Sequence, residues 1–172
     1  MRFVISFILV AFLCSCGSTT HFDYDTKKDF SSYTTYSYFT TIESGLNVLD
    51  NKRVKDALDS LLPYKRLRKE DNGQLLINFY ANEQLTAGNS IGIGVGGGGR
   101  NVGVGVGGGI PIGGKKIEQQ FTLDFIDSQN DALVWQAVFS GSYSEKATPA
   151  QRQAYYLKVI GRVLKGYPPK KE

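Results

Sequence analysis

Reactive side chains are scarce in this sequence. It holds one histidine, one tryptophan, one methionine and two cysteines, and both cysteines, Cys14 and Cys16, stand near its start. With no cysteine beyond Cys16 there is no disulfide framework and no thiol chemistry in the body of the chain. A Ser-His-Asp arrangement would have to use His21, and no G-x-S-x-G elbow is present to supply a nucleophile. Charge of one sign is also scarce. The formal net charge is only +4, and basic residues are scattered except for Lys65-Arg66-Leu67-Arg68-Lys69 and the tail Lys170-Lys171. A nucleic-acid interface needs a wider basic face interleaved with aromatics. Nucleic acid is therefore not an expected partner. Both runs read as solvated surface, the tail being also suited to anionic headgroups.

What the start of the chain does have is an apolar run. Arg2 precedes Phe3 to Leu13, broken only by Ser6. About 11 residues are too few to cross a hydrocarbon core as a helix, but they fit the apolar region of a secretory signal. The run ends in Leu13-Cys14-Ser15-Cys16, which resembles the lipobox of bacterial lipoproteins. An aliphatic residue stands at −3 and a small one at −1, ahead of the cysteine whose sulfur takes diacylglycerol. Taking Cys14 as the acceptor would leave Leu13 at −1, a poorer match. The resemblance implies a signal peptide over 1–15, cleavage between Ser15 and Cys16, lipid on Cys16 and a tether over 16–20. Several acyl chains on one residue would make the anchor effectively permanent, at about 0.8 kcal/mol per buried CH₂. No aspartate or acidic cluster follows Cys16. The expected location is the outer membrane, facing the periplasm.

Residues 21–172 are long enough for one domain with its own core. His21 to Asp25 and Thr34 to Phe39, rich in Tyr, Phe and Thr, suit strands. Val54, Ala57, Leu58, Leu61 and Leu62 fall on one helical stripe, with Asn47 or Asp50 as cap and Pro63 as terminator. A short strand over Tyr64 to Arg68, a turn at Asn72-Gly73 and a strand over Leu75 to Ala81 follow. Phe121, Leu123 and Phe125 alternate with Thr122, Asp124 and Ile126. With Leu133 to Tyr143 across the polar turn Asp127 to Asp131, they form an expected antiparallel hairpin. Thr148-Pro149-Ala150-Gln151 combines a capping box with proline at the first helical position. The helix it opens carries Tyr156, Val159, Ile160, Val163, Leu164 and Tyr167 on one face and stops at Gly166 and Pro168. The expected fold is α+β: an antiparallel sheet of about 4–6 strands with two amphipathic helices on one face.

Glycine is concentrated: 14 of the 20 lie between Gly88 and Gly114. There Ile91, Ile93 and Val95, then Val102, Val104 and Val106, alternate with glycine on either side of Gly96 to Asn101. The pattern suits a mobile insert between two strands, or an apolar ribbon that docks on a membrane, a partner chain or another copy. Gly92, Gly94 and Gly97 fit G-x-G-x-x-G only as any glycine tract does. Gly109, Gly114 and Lys115 approach a P-loop, but Lys116 stands where Ser or Thr must hold Mg²⁺. Nucleotide binding is not expected.

His21, Asp23 and Asp25 alternate and would share a strand face, as metal ligands or, more simply, as polar residues of an edge strand. Tyr33, Tyr36, Tyr38 and Phe39 offer either a sugar-stacking platform or strand core with polar tips. No metal, cofactor or catalytic residue is assigned from these.

Three stretches carry a family resemblance. They are Phe22-Asp23-Tyr24-Asp25 with Asp29 to Tyr36, then Leu123 to Asp127 with Leu133-Val134-Trp135-Gln136, and last the final helix closing on Gly166-Tyr167-Pro168-Pro169. Together they resemble the family called domain of unknown function 4136, a set of bacterial lipoproteins. The resemblance implies an envelope location and an α+β fold, and brings no catalytic residues. The expected role is a non-catalytic envelope lipoprotein that binds a partner or maintains the outer membrane. A small-ligand carrier, using a cleft between sheet and helices, and an envelope hydrolase are the alternatives.

Overall fold

The alternating segments and the two apolar stripes come together in a computed structural model that describes residues 18–86, 90–91, 110–111 and 114–170. Its strands are β1 (Thr19–Tyr24), β2 (Thr35–Tyr38), β3 (Arg68–Lys69), β4 (Leu75–Thr86), β5 (Ser90–Ile91), β6 (Ile110–Pro111), β7 (Lys116–Asp127) and β8 (Ala132–Ser144). Its helices are α1 (Val48–Leu61) and α2 (Pro149–Val163). Six strands form one open sheet in the order β1-β8-β7-β4-β2-β3, and β5 pairs with β6 separately.

The hairpin β7–β8 is the spine. Phe125 lies opposite Trp135 and Leu123 opposite Ala137, with a bulge between Phe125 and Ile126. β4 flanks β7 antiparallel from Leu75↔Asp127 to Thr86↔Lys116. β1 closes the other side against β8, from Thr19↔Ser140 to Tyr24↔Trp135. It begins two residues earlier than its pattern suggests.

The sheet is mostly antiparallel, as expected, but its far edge is not. β2 runs parallel to both β4 and β3. A parallel pair needs a crossover of a dozen or more residues, usually with a helix, and α1 with its flanking loops provides it. The strand expected over Tyr64 to Arg68 is also corrected. A 3₁₀ turn occupies Leu62–Lys65, with Pro63 inside it, and Arg66 ends it in a left-handed conformation at φ 64°. Only Arg68–Lys69 pair as strand. Gly73 explains how the chain then passes close to β2: a Cβ there would stand 2.1 Å from the Tyr36 carbonyl carbon.

Both helices start at the Thr86 end of the sheet and lie on one face. Asn47 caps α1 by accepting the Asp50 N–H at 3.0 Å, and Thr148 caps α2 through the reciprocal box with Gln151. Leu58, Val54, Tyr156, Val159, Ile160 and Val163 meet Ile77, Phe79, Phe121, Leu123, Phe125 and Trp135 in one buried cluster. Each such side chain contributes about 1.5–3 kcal/mol on burial. This core lies between the sheet and the helices.

Behind the core sits a polar network that ties both helices to the sheet. Asp50 is wholly buried and meets the Arg53 guanidinium at 2.6 Å and that of Arg152 at 3.0 Å. Arg152 also donates to the Tyr143 hydroxyl at 2.6 Å, and Tyr143 donates to Glu83 Oε1 at 2.9 Å. Gln119 Nε2 donates to that same oxygen at 2.7 Å. Among the described residues, no helix is long and apolar enough to cross a membrane.

Candidate functional site

The loops at the Leu75 end of the sheet, far from Thr86, enclose an open cleft of about 980 Å³. Three segments distant in sequence build it: the β1–β2 connection, the turn after α1 and the chain after α2. In the first, Asp25 Oδ1 accepts the Lys27 N–H at 2.9 Å and the Asp25 carbonyl accepts that of Lys28 at 3.2 Å. Asp29 then caps the 3₁₀ turn Phe30–Ser32, taking the Ser31 N–H at 3.1 Å and the Ser31 hydroxyl at 2.7 Å. These turns drive Phe30 inward, where its ring meets Tyr24, Tyr33 and Tyr167 with centroids 5.9–6.2 Å apart. In the second segment the 3₁₀ turn holds Tyr64 outward, 84% exposed.

The first wall is fixed to β7 by a shared carboxylate. Lys28 Nζ and the Tyr33 hydroxyl each donate to Asp127 Oδ2 at 2.8 Å, while Oδ1 accepts the Gln129 N–H at 3.0 Å. The Lys28 bond, then the Gln129 N–H, hold the Asp127 carboxyl below the usual carboxylate range. Burial first, and the Asp127 bond second, push the Tyr33 phenol up to about 12. Both groups therefore keep their roles at neutral pH, Tyr33 as donor and Asp127 as anion.

Tyr167 lines the cleft but is only 2% exposed. Its ring is wedged among Phe125, Trp135 and Phe30 at 4.8, 5.6 and 5.9 Å. Its buried hydroxyl has no hydrogen-bond partner among the described residues. Such a group costs about 1–3 kcal/mol.

Around this floor stand Lys27, Lys65, Arg66 and Lys170, and none of the four pairs with an acid among the described residues. Partial burial holds the Lys65 ammonium below its ordinary value. Asp25 and Asp29 lie in the same lining, so cations predominate without excluding carboxylates.

The proposed tyrosine platform is divided. Tyr33 enters the cleft. Tyr36 and Tyr38 instead donate to Asp59 Oδ1 at 2.9 and 2.5 Å, and Lys69 Nζ holds Oδ2 at 2.7 Å. Burial raises the Asp59 carboxyl, but the bonds from Lys69, Tyr38 and Tyr36 outweigh it and leave the group low. Tyr36 and Tyr38 are strand core with polar tips, and Phe39 is exposed beside them. His21 and Asp23 lie opposite Val138 and Gln136 on the open face of the sheet, while Asp25 has passed the strand's end into the cleft. Among the described residues no three His, Cys, Asp or Glu side chains converge on a metal-sized site. Ser15, Cys16, Gly92, Gly94, Gly97 and Gly109 lie outside the described residues.

The cleft was not visible as such in the sequence. Lys65-Arg66 reads in sequence as part of a solvated basic run, and nothing local links it to Phe30 or Tyr167. The one available signal was Tyr64, an aromatic directly after a helix-ending proline and beside two cations.

A family model for a domain of unknown function, DUF4136, matches residues 20–169. The chain belongs to the DUF4136 family. Among curated proteins, none matches this DUF4136 chain by sequence. Among solved structures it is similar to a PelC dodecamer from Paraburkholderia phytofirmans, at 12% identity and a TM-score of 0.52, covering 86% of this chain and 95% of that one. It also matches a PDZ domain protein from Parabacteroides distasonis, at 15% identity and a TM-score of 0.49, over 98% of this chain and 40% of that one. A minor lipoprotein from Acinetobacter baumannii matches at 11% identity and a TM-score of 0.39, over 78% and 91% of the two chains. At these identities the likeness to PelC is one of fold.

Proposed function

We propose that this DUF4136 chain is a non-catalytic binding protein of the bacterial envelope, anchored through diacylglyceryl-Cys16 to the periplasmic leaflet of the outer membrane. Its recognition surface is the cleft. The observation that carries this reading is the set of four cations, without acid partners among the described residues, gathered in one open cleft beside the exposed ring of Tyr64. The fold supports a fixed orientation. Thr19, three residues after Cys16, pairs with Ser140, and β1 runs from there toward the cleft. β1 therefore starts toward the Thr86–Lys116 end, and the cleft opens at the other. Asp25 and Asp29 accept bonds from their own turn, which suits structural carboxylates better than a general acid and base.

The test is photo-crosslinking in cells, with a photoreactive side chain at position 64 and, as control, at Tyr80 on the open sheet face. A discrete adduct at 64 alone is expected. A strictly solitary species at 64 would contradict the reading.

Self-association through Gly88 to Gly114 is a second reading. The β5–β6 ribbon at the base of the insert and the dodecameric state of the PelC structure favour it. Light scattering on the full chain and on a chain lacking 92–109 decides it: a mass that falls on deletion supports self-association, and a monomer in both cases ends it.

A further inference from the structure

We propose that the cleft takes an acidic carbohydrate: an oligosaccharide whose rings stack on its tyrosines and whose carboxylates meet its cations. The inference rests on the reading of the cleft as a binding site and names the class of ligand.

Four features of the lining converge on this chemistry. Tyr64 offers a ring 84% exposed on a short turn stiffened by Pro63. A rigid exposed aromatic is a contact surface of low entropic cost, and the flat C–H face of a pyranose matches it. The cations come from three separate segments, Lys27, Lys65-Arg66 and Lys170. That spacing suits charges distributed along an oligomer. A single phosphate would call for a nest of backbone N–H groups. The Asp25 carboxylate shares the lining. Sugar hydroxyls, which donate as well as accept, make use of it. Finally, about 980 Å³ stands at the top of the range for small-molecule sites, roughly 300–1,000 Å³, so more than one ring is accommodated.

Two other occupants fit less well. A lipid headgroup of the protein's own membrane would approach from the tether end, opposite the cleft. An acidic peptide would meet the cations but presents no flat C–H ring face to Tyr64.

Calorimetric titration of the purified full-length lipoprotein in detergent tests this, with tetragalacturonate as probe, maltotetraose as its neutral counterpart and tetraglutamate as the peptide arm. Tetragalacturonate is expected to bind, and to bind about tenfold more weakly in the double variant Lys65→Gln, Arg66→Asn, as befits lost charge-assisted bonds. Asparagine is chosen because it tolerates the left-handed backbone at 66. Tyr64→Ala should weaken binding similarly, and an unchanged thermal midpoint in both variants shows that the fold is intact. Absence of tetragalacturonate binding, or equal affinity in the variants, overturns the inference. So does maltotetraose binding as tightly, or tetraglutamate binding as tightly or better. Crosslinks at position 64 that persist when tetragalacturonate fails would leave the cleft a binding site with another ligand. Loss of both would remove the cleft reading itself.

Discussion

At the scale of single residues, three buried polar groups do different work. Asp50 is wholly buried between two guanidinium groups. Removing it would strand guanidinium groups that are 14% and 26% exposed, at a cost toward the low end of about 3–5 kcal/mol. Asp50→Ala is therefore expected to lower the unfolding free energy by about that amount in urea titration. Tyr167 is the opposite case, since its hydroxyl lacks a partner among the described residues. Tyr167→Phe should leave the fold equally stable or more stable by about 1 kcal/mol. A clear loss of stability would show that the hydroxyl is satisfied in the free protein. Asp127 links stability to pH. Its folded value is depressed, so its contribution is present above the unfolded value of about 4 and is lost as pH falls through the lower folded one. Asp124, buried on the other sheet face and raised by that burial, acts with the opposite sign. Urea midpoints measured from pH 5 down to pH 2 should fall less steeply in Asp127→Asn than in the parent.

At the scale of elements, legibility followed locality. The periodic stripes of α1 and α2, their caps and the β7–β8 hairpin all depend on contacts within a few residues, and those patterns survive in the structure. Thr148→Ala should accordingly cost about 1 kcal/mol of stability, read from the urea midpoint, because the box at α2 is complete. What the pattern missed depends on distant partners. The second half of β4, from Asn82 to Thr86, has no clear apolar alternation and is strand because β7 lies beside it from Gln120 to Lys116. The parallel edge at β2 arises from the α1 crossover, which no dipeptide or period reveals. Tyr36 and Tyr38 look alike to Tyr33 in sequence, yet Asp59 on α1 takes two of the three and Asp127 the third. The cleft is the extreme case, since its walls come from residues near 27, 65 and 168.

At the scale of the molecule, two ends of one sheet are set apart. β1 starts, β4 ends and β7 begins toward Thr86 and Lys116, while the cations and tyrosines of the cleft gather near Leu75 and Asp127. β4 alone spans 12 residues between them, about 40 Å at roughly 3.3 Å per residue. A lipid on Cys16 would then hold the cleft away from the bilayer and toward soluble or polymeric ligands. The scarcity of cysteine makes this measurable, because Cys14 and Cys16 are the only cysteines, and cleavage before a lipidated Cys16 would leave no other thiol. Spin labels would be placed singly at Leu85→Cys and Tyr64→Cys in the lipidated protein on vesicles, and their relaxation by lipid-phase oxygen compared with that by an aqueous nickel chelate. The account predicts oxygen-dominated relaxation at position 85 and nickel-dominated relaxation at 64; equal profiles, or a label at 64 nearer the bilayer than one at 85, would contradict it.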